Sequence, residues 1–410
     1  MLVKIIETIF SKGITAIANF VTMIVTAGFL GAGLRGEIVL LLLSVNIVNL
    51  FQVIMGGPVI AYLTPRHSVH RLFAIGMIWT LAIGAVGSWL LIVSNLLPQH
   101  LFPELFIISV LQGVLSINQN VLIGKERISL QNILEILRSA GVMALVLVMM
   151  IGMEIRDVNY VYYAYIGANG VAVLLGFVFI FRYLKPEEDN TALGRLFTNM
   201  LRFGTQTQIN NISQILNYRF VYFLIEKWKG IDVLGAFSVA VSIGEALWVI
   251  CKGIATNQFA RLINEKDEEK RNALSVLMVK LSTTLTVFGI LALLLIPQSL
   301  YGWIHDDFAH IKPLLYAFAP GILFLAMFTI FNHHFTAIDR NMINVQASLI
   351  GNGISIISGI VLIDDYGSAG GALTYGLAYF AMLLYLAYRF MSMTGKSLRD
   401  FVPGPSDLNP

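Results

Sequence analysis

Polar side chains recur at helical spacing inside stretches that are otherwise apolar. The first stretch carries Lys12, Thr15, Asn19, Thr22 and Thr26 at spacings of 3, 4, 3 and 4, which is one face of a helix. A second carries Arg202, Gln206, Asn210, Ser213 and Asn217 at spacings of 4, 4, 3 and 4, with Arg219 and Tyr222 beyond. Ser238, Ser242, Glu245 and Lys252 share another face, Asn49, Gln52 and Gly56 mark a fourth stretch, and Glu135 and Arg138 open a fifth. A Lys, Arg or Asp at mid-membrane costs about 2.5–3.5 kcal/mol on insertion scales, so such groups turn toward a bundle interior or a wet cavity. Here the cations Lys12, Arg138, Arg219 and Lys252 outnumber the acids Glu135 and Glu245. A buried cation without a counter-charge wants an anionic ligand. The expected binding set is therefore Lys12, Asn19, Arg138, Gln206, Asn210, Arg219 and Lys252, with Glu245 as an ion-coupling group two turns before Lys252. The alternative is that these groups are interhelical glue, Glu135 and Arg138 forming an i,i+3 ion pair.

Other patterns carry less. Gly31-Ala-Gly33-Leu-Arg-Gly36 matches GxGxxG but follows an apolar helix rather than a strand, so it reads as a turn. Asn211-Ile-Ser213 is a glycosylation sequon inside a helix. His333 and His334 diverge by about 100° on a regular helix and cannot share a metal; they read as interfacial. His305, Asp306, Asp307 and His310 read as a solvated loop. No Walker, zinc or nucleophile-elbow motif is present, so neither a catalytic group, a metal nor a cofactor is expected.

The elements that position these residues follow from composition. Of 410 residues, 57% are hydrophobic and 12% charged, against roughly 25% charged in soluble domains, and mean hydropathy is +0.77. Lipid must be the solvent. Spans of about 20 apolar residues are expected near 10–31, 37–63, 72–97, 101–123, 130–152, 158–183, 198–225, 233–258, 275–297, 313–335, 342–363 and 368–391. The first reads as a helix that is kept, not a cleaved signal. The expected organisation is an all-α integral membrane protein: a six-helix lobe over 1–184, a cytoplasmic linker over 185–196, a second six-helix lobe over 197–392 and a cytoplasmic tail over 393–410. The net charge of +3 is too small and dispersed for nucleic acid, and the single Cys251 reads as a core residue.

Loops after even-numbered spans, counted with the span ends beside them and with the tail, hold sixteen Lys and Arg, against five after odd-numbered spans. Positive residues stay inside, which puts both termini in the cytoplasm. An offset of 199 pairs Gly36 with Gly235, Ala61 with Ala260 and Leu97-Pro98-Gln99 with Ile296-Pro297-Gln298, and a later offset of 215 pairs Lys125 with Arg340 and Gln131 with Gln346. Halves of six spans each start on the same side, so they are expected to be parallel repeats around a central cavity.

The segment Phe29-Leu-Gly-Ala-Gly-Leu-Arg-Gly-Glu-Ile-Val-Leu-Leu and its echo Lys229-Gly-Ile-Asp-Val-Leu-Gly-Ala-Phe-Ser-Val-Ala resemble the Wzx-type oligosaccharide flippases of the multidrug/oligosaccharidyl-lipid/polysaccharide (MOP) exporter superfamily. So do Phe259-Ala-Arg-Leu-Ile-Asn-Glu-Lys-Asp-Glu-Glu-Lys and Asp365-Tyr-Gly-Ser-Ala-Gly-Gly-Ala-Leu. The resemblance implies a two-lobed bundle in the bacterial inner membrane that moves an undecaprenyl-pyrophosphate-linked oligosaccharide outward by alternating access. It implies as partners a polysaccharide polymerase with its chain-length machinery, and H+ or Na+ as coupling ion. Two other functions compete: a cation-coupled drug antiporter of the same superfamily, whose cavity should be acidic, and a membrane glycan polymerase or transferase, which should carry a large outer loop.

Overall fold

The computed structural model describes residues 2–94, 96–186, 189–298 and 312–401, and among them every regular element is helical. Some helical side chains, including those of Asn217, Arg219, Ser238, Ser242 and Glu245, lie outside the described residues, as do His305, Asp306, Asp307 and His310. Two compact units divide the chain, residues 1–208 and 209–410.

The first unit contains α1 (Leu2–Gly56), α2 (Pro58–Leu63), α3 (Val69–Val93), α4 (Phe102–Gly124), α5 (Ile128–Leu147) and α6 (Val158–Ile180). As one straight rod, the 55 residues of α1 would run about 82 Å, far beyond the ~30 Å hydrocarbon core. Asn19 and Asn46 nevertheless line one cavity, although 27 residues of straight helix would hold them about 40 Å apart. The chain therefore doubles back between them, giving the two spans Ile5–Leu30 and Glu37–Leu63. With α3 to α6 the unit holds six spans. Their outward faces carry exposed Ile, Leu, Val and Phe, as a lipid solvent requires. The start of α7 (Leu193–Lys229) belongs here too, because Leu196, Met200 and Phe203 join the core of Met55, Val59, Leu72, Val121 and Leu134. Phe203 stacks on Tyr62 with ring centroids 4.5 Å apart.

Ahead of α7 the linker is tied down. Asp189, 8% exposed, accepts from the backbone N–H groups of Thr191 (3.0 Å) and Ser68 (3.2 Å) and lies 3.2 Å from His67 Nδ1 and 3.3 Å from the Arg71 guanidinium. Arg71 also donates to the carbonyls of Asp189 and Thr191. The Thr191 amide first, then the other donors, hold the Asp189 carboxyl far below the usual carboxylate range.

The second unit contains most of α7, α8 (Ile231–Leu262), α9 (Glu268–Leu295), α10 (Lys312–Ala337) and α11 (Asn341–Thr394). Gly367, at φ 58° and ψ −130°, breaks α11 into two spans, a backbone region that glycine alone enters readily. Nine helical segments among the described residues are long and apolar enough to cross a membrane. With α7 and α8 added and α11 contributing twice, each unit has six spans and the chain is a multi-pass membrane protein of twelve helices.

The repeat is visible in turn geometry. Glu126 (φ 55°) and Asp339 (φ 57°) are two of the three non-glycine residues with positive φ among the described residues. Each lies in the turn after its unit's fourth span. The next residues, Arg127 and Arg340, both precede a helix and donate to the carbonyls of Leu122 and Phe335, each at 2.8 Å. This corrects the register expected from sequence: Arg127, not Lys125, matches Arg340, and Gln131 matches Asn344. The earlier offset of 199 does hold at the second turn, where Thr64 donates to Ile60 and Ile263 to Phe259.

Candidate binding cavity

Within the first unit a cavity of about 710 Å³ opens among α1, α4, α5 and α6. Its polar wall is Asn19, Asn46, Asn49, Gln112, Ser116, Gln119, Arg138 and Tyr165, its apolar wall Phe20, Met23, Leu42, Val53 and Leu115, and among the described residues no carboxylate lines it. Asn49 and Gln112 stand near the middles of the spans Glu37–Leu63 and Gln99–Gly124, which places the cavity at mid-membrane depth. Asn49 Nδ2 donates to Gln112 Oε1 at 2.8 Å, and Ser116 Oγ to the Gly56 carbonyl at 3.0 Å. Asn19, Asn46, Gln119 and Arg138 make no hydrogen bond or ion pair among the described residues. Arg138 is half-buried. An open guanidinium ringed by amide and hydroxyl groups can receive an anion together with sugar-like hydroxyls.

One turn below Arg138, Glu135 is not its partner. Lys12 Nζ takes both Glu135 oxygens, at 3.1 and 3.2 Å, and Gln131 Nε2 adds a bond at 3.1 Å. The i,i+3 pairing of Glu135 with Arg138 is therefore absent, and Lys12 is spent on a carboxylate. Next along the same seam, Ser139 Oγ lies 3.2 Å from Thr15 Oγ1, and Asn132 Nδ2 donates to Thr8 Oγ1 at 3.0 Å.

At the matching depth the second unit closes the same seam with neutral groups, its charge lying at the end of the contact, where Lys229 Nζ donates to the Asp364 carbonyl at 2.7 Å. Ser348 Oγ donates to Asn210 Oδ1 at 2.6 Å and Asn352 Nδ2 to Ser213 Oγ at 2.7 Å. These bonds span 138 and 139 residues; their first-unit counterparts, Lys12 to Glu135 and Thr15 to Ser139, span 123 and 124. Asn210 Nδ2 also donates to Asn332 Oδ1 at 3.0 Å, so this amide is engaged on both atoms. Where the first unit has Asn49 and Ser116, the second has Trp248 donating to Thr329 Oγ1 at 3.0 Å. Lys252 Nζ lies 3.5 Å above the Trp248 ring.

Of the residues singled out from sequence, the structure brings Asn19 and Arg138 into one cavity with Lys12 about two turns before Asn19 on α1, and places Asn210 in a hydrogen-bonded seam. Gln206 is half-buried near the end of the first unit. Lys252 is exposed over Trp248. The side chains of Arg219 and Glu245 lie outside the described residues. Sequence reasoning missed Asn46, Gln112, Ser116, Gln119 and Tyr165. The spacing of Gln112, Ser116 and Gln119, 4 then 3, is the same helical-face signal. His334 is a correction: it is 2% exposed and bonded to Ser275 Oγ at 2.7 Å, in the core rather than at an interface.

No protein-family model and no curated protein matches the chain. Solved structures do match. A variant of the MATE transporter VcmN from Vibrio cholerae is 10% identical over 97% of this chain and 98% of its own, with a TM-score of 0.80. A MOP superfamily transporter from Pyrococcus furiosus, described as having a binding pocket of reverse polarity that suggests a different function, is 13% identical over 96% and 95%, at 0.78. An outward-facing multidrug resistance MATE family transporter of the MOP superfamily is 14% identical over 96% and 95%, at 0.77. The chain has the two-lobed, twelve-helix fold of these transporters.

Proposed function

We propose that the chain is a transporter of the MOP superfamily that carries an undecaprenyl-pyrophosphate-linked oligosaccharide from the inner to the outer leaflet of the bacterial inner membrane. The observation that carries this reading is the polarity of the cavity: an open Arg138, amides of Asn19, Asn46, Asn49, Gln112 and Gln119, and no carboxylate in the wall among the described residues. A pyrophosphate is matched by the guanidinium and a glycan by the amides. A cationic drug would meet a like charge in a low-dielectric site, which is unfavourable. Both termini are cytoplasmic in this reading, H+ or Na+ is the counter-ion with Glu245 as its carrier, and a polysaccharide polymerase with its chain-length machinery receives the product.

The test is reconstitution. Proteoliposomes containing the chain should translocate a fluorescent polyprenyl-pyrophosphate-linked oligosaccharide and should not accumulate ethidium under a proton or sodium gradient. Arg138→Gln should slow translocation at least tenfold while reconstituting normally. Gradient-driven ethidium uptake without glycolipid movement would establish the drug-antiporter reading instead.

A further inference from the structure

The Lys12–Glu135 pair spends a membrane-embedded cation on a carboxylate, and the chain itself shows that packing does not require this. In the second unit the corresponding helix–helix contact is closed by Asn210 and Ser348, both neutral, and the neighbouring contacts match in kind, Thr15 with Ser139 and Ser213 with Asn352. The second unit thus serves as an internal control for what the seam needs. Charge in the first unit has another use.

Glu135 stands three residues before Arg138 on α5, the spacing at which acid and guanidinium pair across one helical turn. Nevertheless Arg138 lines the cavity with no partner among the described residues, because both Glu135 oxygens are taken by Lys12 and one also by Gln131. We propose that Lys12 is a positioning residue: by occupying Glu135 from across the seam it keeps the Arg138 guanidinium open for an anionic, phosphate-bearing ligand. Lys12 itself touches no ligand in this arrangement and is not among the cavity-lining residues. Without it, Glu135 is a carboxylate lacking a counter-ion in a low-dielectric setting, and the nearest cation on its own helix is Arg138. The pair that then forms closes the site from within.

This inference rests on the anionic-ligand reading of the cavity, and two readouts keep them apart. The first needs no ligand. In detergent-solubilised protein, phenylglyoxal modification of the Arg138 peptide, followed by mass spectrometry, reports whether the guanidinium is free. Wild type and Glu135→Gln should react, Lys12→Met should be protected at least fivefold, and Lys12→Met/Glu135→Gln should react as wild type does. Equal reactivity of Lys12→Met and wild type, or a double variant that stays protected, overturns the proposal. The second readout is binding of farnesyl pyrophosphate to the protein in nanodiscs. Lys12→Met should weaken it about as much as Arg138→Gln, tenfold or more, and the double variant should recover to within about threefold of wild type. A double variant that remains as weak as Lys12→Met makes Lys12 a direct ligand and overturns the proposal. Binding that is indifferent to Arg138→Gln overturns the reading of the cavity, while the modification pattern still decides the role of Lys12.

Discussion

At the level of single residues, helical spacing tells which polar groups share a face and says nothing of what stands opposite. That is why Lys12, Thr15 and Asn19, or Asn210 and Ser213, were legible as stripes, while the partner of Lys12, 123 residues away, was not. The same limit hid the difference between Asn19, which faces the cavity, and Asn210, whose amide is bonded on both atoms. Asn210→Ala should therefore act on stability: it strands the buried Ser348 hydroxyl, a cost of about 1–3 kcal/mol, and removes the bond to the half-buried Asn332. Thermal unfolding followed by fluorescence-detected size exclusion should show a lowered midpoint, whereas Asn19→Ala should leave the midpoint near wild type. Gly113 is a second such position. A Cβ there would sit 2.5 Å from Thr80 Cγ2 and 2.9 Å from Gln52 Oε1, two fully buried side chains. Gly113→Ala should lower stability by about 1–3 kcal/mol through overpacking, read in the same assay.

At the level of elements, the boundaries of the spans followed from hydropathy to within a few residues, because a lipid solvent leaves little freedom in where a helix turns apolar. The second repeat register did not follow, since chance matches among apolar residues mimic homology, and only the paired positive-φ turns at Glu126 and Asp339 fix it. Nor did the linker announce its attachment to the turn before α3. Its carboxyl, lowered by the Thr191 and Ser68 amides and by His67, stabilises the latch at any pH above the ordinary Asp value of about 3.9, and that contribution is lost as pH falls through the lowered folded value. Trypsin cleavage after Arg195, normalised at each pH to cleavage of an unstructured peptide, should accordingly be slow and unchanged from pH 8 to pH 6. Asp189→Asn, which removes a nearly buried carboxylate with several donors, costs about 1.5–3 kcal/mol and should speed that cleavage roughly tenfold. Rates equal to wild type would mean that the linker is held by its backbone bonds alone.

For the molecule as a whole, six spans per unit and the excess of Lys and Arg in alternate loops predict which loops face the cytoplasm. Single cysteines at Ser68, Lys266 and Ser397, in a Cys251→Ser background, should be shielded from an impermeant maleimide added to intact cells, and one at Asp365 should label. Labelling at Lys266 would reverse the orientation. The charged seam bears on biogenesis as well. The translocon receives the first span, with Lys12 inside it, before α5 has been made. At ~5–20 residues per second the 123 residues that separate Lys12 from Glu135 take some ~6–25 s to synthesise, and for that time an ammonium sits in an unfinished bundle without its carboxylate. At the matching depth the second unit, closed by the neutral Asn210 and Ser348, has no such interval. Nascent chains stalled before residue 128 should be extracted and degraded faster than stalled Lys12→Met chains of the same length, which ties a residue that keeps the finished cavity open to the hazard of building it.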